Sequence, residues 1–188
     1  MNKDFLDERR HALEEAFFAK HNEMLLQRLR EAEAMASRRE ALAAASGITD
    51  AAVLDRLIAL GINSETVAAL SLVPLVVVAW ADGSIDERER AAILSGAAET
   101  GLEEGSPSYR LLGEWLQQPP PAHLVAAWTD YARAAAGALD STARRALKAE
   151  LLSRARAVAE AAGGLLGIGR KVSPAEDAAL RRLEAALP

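Results

Sequence analysis

The chain has 188 residues, 51 % of them hydrophobic but only 4 % aromatic, so its core has to be built from leucine, valine and alanine. A formal charge of −5 argues against nucleic-acid binding, which needs a basic excess to displace counterions from phosphate. No cysteine is present, which excludes disulfides, thiolate zinc sites, iron–sulfur clusters and cysteine nucleophiles.

Abundant Ala, Leu, Glu and Arg favour helix, because these side chains lose little rotamer freedom there. No β-alternation of useful length appears, and an all-α bundle of about seven or eight helices with short connections is predicted. The N-terminus enters charged residues at once, with no apolar signal-peptide core, so a cytoplasmic location is expected.

From Asp4 to about Ala45 no proline or glycine interrupts a long amphipathic helix. Phe18, Leu25, Leu29, Ala32 and Ala36 form one stripe on it, with Leu6, Leu13, Phe17 and Met24 alongside. Such a face has to pack on something, either on the rest of the chain or on a second copy in a homodimer. Ser46-Gly47 ends this helix, and Thr49 or Asp50 can cap a short one closed by Gly61. Residues 1–60 therefore read as a helical arm or extension, and 61–188 as the bundle.

Asn63 or Ser64 starts an apolar helix reaching Trp80, which Pro74 must kink or interrupt unless it lies near a start. The stretch from Val67 to Ala81 is shorter than the roughly 20 residues that span a bilayer, so a buried core helix is predicted and no transmembrane segment. Further helices are expected from Asp86 to near Gly101, after Gly105–Ser108, and from Ala122 to Leu139 behind Pro119–Pro121. One more should run from a cap at Asp140 or Ser141 to Ala162, and a last from Ser173 to Leu187.

The most informative segment is Ala81-Asp82-Gly83-Ser84-Ile85-Asp86-Glu87-Arg88-Glu89. Gly83 permits a tight turn, and Asp86 with Glu89 three residues on has the spacing of a capping box. The spacing also matches the later part of an EF-hand loop. Trp80 and Val78 stand where the first ligands of that loop would be, which excludes a true EF-hand. Three carboxylates on one turn are still candidates for a hard divalent cation.

A helix ending in Ala-Asp-Gly, then a small or polar residue, an aliphatic one, an acid, and Glu three later resembles the tellurite-resistance TerB-like domains, over residues 60–187. That resemblance implies a helical bundle of two related halves, a role in tellurite and stress resistance, and a divalent cation (Ca, Mg, Mn or Zn) at Asp82, Asp86 and Glu89. Val172-Ser173-Pro174-Ala175-Glu176 aligns with Ile85–Glu89 and adds Glu176 as a further candidate metal ligand. The counterpart of Asp82 is Gly169, so the second copy lacks its leading acid. Glu176 can equally close a capping box with Ser173.

Other features read as structural. His11, His21 and His123 are scattered and form no metal-binding pattern. Arg144, Arg145, Lys148, Arg154 and Arg156 share their helix with acids and read as a solvated face, with a patch for an anionic membrane (peripheral contact) or an acidic partner as the alternative. Gly163–Gly169 follows a helix and fits neither phosphate-loop pattern. No catalytic residues are assigned. The reading is a non-catalytic binding or regulatory module with a protein partner, the alternative being a structural or assembly protein whose acidic turn only caps a helix.

Overall fold

The structure, a computed structural model, describes the backbone of residues 3–162 and 172–187, with side chains over 20–161 and 172–187. The expected glycine-rich segment 163–169 lies outside the described residues, as do the side chains of Leu6, His11, Leu13, Phe17 and Phe18. All regular structure among the described residues is helical. The chain divides into two compact units, Met1–Glu40 and Ala41–Pro188.

The first unit is a single helix, the greater part of α1 (Lys3–Ser46). Without glycine or proline, and with side-chain pairs such as Gln27 to Glu31 at one-turn spacing, nothing interrupts its backbone ladder. Met24, Leu25, Leu26 and Leu29 are exposed, Leu29 by 59 %, so over this stretch the apolar stripe is open to solvent.

The second unit begins with the last turns of α1, where Leu42 is fully buried. Gly47, at φ +71°, ends the helix in a left-handed conformation that costs glycine little. Asp50 rather than Thr49 caps α2 (Ala51–Ala59), its Oδ1 accepting from the Ala52 and Val53 amides at 2.9 and 3.1 Å. An ion pair from Arg56 to Asp130 ties α2 to α6 (Ala122–Gly137).

The helix expected from Asn63 to Trp80 is instead two elements. A 3-10 segment, Val67–Leu72, runs into α3 (Val73–Ala79), and Pro74 lies in the first turn of α3. Proline has no N–H to give to a continuing ladder, but the first turn of a helix has no partner for that N–H anyway. The break therefore falls where the missing donor matters least.

Every residue of α3 except Val77 is buried, so this helix is apolar almost all round and forms the centre of the bundle. It contacts α4 (Glu87–Glu99), α6, α7 (Ser141–Ala162) and α8 (Pro174–Ala186). A short α5 (Pro107–Trp115), capped by Ser106, packs on the 3-10 segment. There the buried Ser108 hydroxyl donates to the Glu65 carbonyl at 2.8 Å. The Trp80 indole donates to the Trp115 carbonyl and Arg90 to that of Leu116, both at 2.8 Å, so the carbonyls at the end of α5 are satisfied by side chains. Asp140 caps α7 through the Thr142 and Ala143 amides, bonds that hold its carboxyl below the usual aspartate range.

Candidate functional site

The acidic turn joins α3 to α4. After α3 a single 3-10 turn, Trp80–Asp82, carries the chain to Gly83, whose φ of +100° reverses it. The Gly83 amide donates to the Trp80 carbonyl at 3.0 Å, and Asp82 Oδ1 accepts from the Ser84 amide at 3.2 Å. A Cβ at position 83 would meet open space, so the need for glycine lies in the backbone angle alone. Gly83→Ala is accordingly expected to lower stability by about 1–2 kcal/mol, measured by urea denaturation, with helix content unchanged.

Ile85 packs half-buried against the core, and Asp86 then opens α4. Its Oδ1 accepts from the Arg88 and Glu89 amides at 2.8 Å each, and Glu89 Oε2 accepts from the Asp86 amide at 2.8 Å. This is the reciprocal capping box that the spacing predicts. The second turn repeats the arrangement at the start of α8. The Ser173 hydroxyl accepts from the Glu176 amide at 3.2 Å, and Glu176 Oε2 accepts from the Ser173 amide at 2.6 Å.

Burial separates the two glutamates from ordinary caps. Glu89 and Glu176 are each only 3 % exposed, and α8 contacts the 3-10 turn that carries Asp82. Burial pushes the Glu89 carboxyl up to about 7, although the bond from the Asp86 amide pulls the other way. The negative charges of Asp86, Glu176 and Asp82 raise it further. The other three acids of the sequence reading thus act electrostatically on the Glu89 carboxyl. Glu176 Oε1 is buried with no hydrogen-bond partner among the described residues, a costly state for a carboxylate oxygen.

Proximity is not a metal cage. Among the described residues no group of three or more His, Asp or Glu side chains is arranged to hold a metal ion. Asp86 Oδ1 and Glu89 Oε2 are engaged in capping, and Asp82 in its own turn. Oxygen-only donors suit a hard cation, but those donors would have to converge further to enclose one. His21 and His123 are exposed. No local pattern marks Glu89 and Glu176 as buried; only their alignment in the two related segments points to their being counterparts.

Compared with known protein families, curated proteins and solved structures, the chain matches none.

Proposed function

We propose that this protein is a non-catalytic helical binding module in which the two acidic capped turns form a regulatory element responsive to a divalent cation. The observation that carries the reading is the buried Oε1 of Glu176, which has no hydrogen-bond partner among the described residues and lies within electrostatic range of the buried Glu89. Two buried carboxylates without a compensating cation are costly, and a hard cation drawing on Glu89 and Glu176, with Asp82 and Asp86 beside them, would offset that cost. The resemblance of this turn to TerB-like domains points the same way and links the module to stress and tellurite resistance in the cytoplasm. The open stripe Met24–Leu29 of α1 suits a protein partner or a second copy of the chain. No described helix is long and apolar enough to cross a membrane.

A thermal-shift series on metal-stripped protein tests the cation. Calcium, magnesium, manganese or zinc at about a hundred times its Kd adds about 2.7 kcal/mol, a rise in Tm of roughly 5–10 °C at this chain length. Glu176→Gln keeps an acceptor for the capping box but removes the charge, and should abolish the rise, as should Asp82→Ala. A flat response to all four cations sinks the cation reading.

The second reading, in which the turns only cap helices within a structural or assembly protein, draws on a specific observation. The reciprocal bonds of Asp86 with Glu89 and of Ser173 with Glu176 already give each glutamate a structural task. Under that reading no cation raises Tm, and Asp82→Ala leaves partner binding intact.

A further inference from the structure

A groove of about 350 Å³ lies on a face of the bundle that uses none of the four acids. Its walls come from three helices: Val77 of α3 with Ala81 just beyond it, Val125 and Thr129 of α6, and Ala179, Leu183 and Ala186 of α8. Thr129 gives its hydroxyl proton to the Val125 carbonyl at 3.0 Å, so the wall there directs no spare donor at a ligand. The volume falls within the range of about 300–1,000 Å³ typical of small-molecule sites. Alanines at three wall positions leave a slot suited to an unbranched chain rather than a ring.

One charged side chain lines the groove, that of Arg182. Its Nε donates to the Ala178 carbonyl at 3.2 Å, one turn back on α8. Among the described residues no carboxylate pairs with it and no group accepts from its terminal nitrogens. That anchoring holds the guanidinium beside an apolar slot with its other donors open. A planar two-donor fork is the chemistry that takes a carboxylate.

The groove crosses α3, α6 and α8, and its volume of about 350 Å³ has room beside Arg182 for an aliphatic chain as well as a head group. We propose that this groove binds a medium-chain aliphatic carboxylate, with the alkyl chain between α3, α6 and α8 and the head group on Arg182. The positive rim selects an anionic head over a cationic or neutral one, and the apolar walls select a chain over a short acid.

The test is a titration of the full chain with sodium decanoate below its micellar range, followed by calorimetry and by amide NMR shifts. Decanoate should bind saturably and shift the amides of Ala81, Val125, Ala179 and Leu183, whereas acetate and decyltrimethylammonium should not. Arg182 is exposed, so Arg182→Gln should fold normally; it is expected to weaken decanoate roughly tenfold or more. Ala186→Phe should block the slot, with its melting curve confirming the fold. Absence of saturable decanoate binding overturns the proposal. So does equal affinity for the cationic amphiphile, or an Arg182→Gln variant that binds as tightly as the parent. Association with phosphatidylglycerol vesicles in place of decanoate binding also overturns it, since the surface would then be a membrane contact.

Discussion

Truncating Leu75 to alanine is expected to remove about 2–5 kcal/mol of stability, a large share of the roughly 5–15 kcal/mol available to a domain. Leu75 is 1 % exposed on α3, the helix the rest of the second unit is built around. It is also the residue against which α4 makes a close approach. A Cβ added at Gly96 would lie 3.2 Å from Leu75 Cδ2, tighter than ordinary contact. Glycine at 96 is thus explained by the neighbouring leucine, since its own φ is not positive. The two positions should couple. Gly96→Ala alone sets a helix-propensity gain of about 1 kcal/mol against crowding. In the Leu75→Ala background the crowding is gone and the added methyl enters the vacated space, so the same substitution should stabilise. Urea denaturation of the four proteins in the cycle measures the coupling, and additivity would mean that α3 and α4 do not meet through this pair.

The second large effect is a dependence of stability on pH that runs opposite to that of most carboxylates. The folded-state value for Glu89 is raised from 4.5 to about 7. The folded protein therefore holds this proton more tightly than the unfolded chain does. Below about pH 4.5 both states are protonated and burial carries no ionic penalty. As pH rises through 4.5 and on through 7 the penalty accrues, and above 7 it is complete. With allowance for screening by solvent, the loss is about 1–2 kcal/mol. Glu89→Gln keeps the capping acceptor and the shape but cannot ionise. It should melt roughly 2–8 °C above the parent at pH 8, with the advantage vanishing near pH 4. Glu176→Gln should act in the same direction to a smaller degree, because it removes one of the like charges facing Glu89. Parallel melting profiles of parent and Glu89→Gln across this range would show that the Glu89 proton is held no differently in the folded and unfolded states.

Local rules predicted much of what is observed, because helix starts and stops depend on a few neighbouring residues. Ser46-Gly47, Asp50, Asp86 with Glu89, Asp140, and Ser173 with Glu176 are each readable from side-chain oxygens and backbone angles within one turn. The one helix misjudged in extent, Asn63 to Trp80, turned on where Pro74 would fall. Apolar residues continue on both sides of it, so composition could not place the break. The compact units part between Glu40 and Ala41, and Leu42, Ile48 and α2 share the second core, a grouping that depends on contacts between segments rather than on any local signal.

All-helical class, capped turns and the buried character of the Val67–Ala79 stretch were determined by the sequence, through propensity, spacing and hydrophobicity acting over a few residues. Only the tertiary structure decided that Glu89 and Glu176 are buried within electrostatic range of each other, and that Arg182 stands over an apolar groove from three helices. Those facts depend on which distant segments meet, and a carboxylate or guanidinium in sequence carries no mark of the desolvation that packing will impose on it.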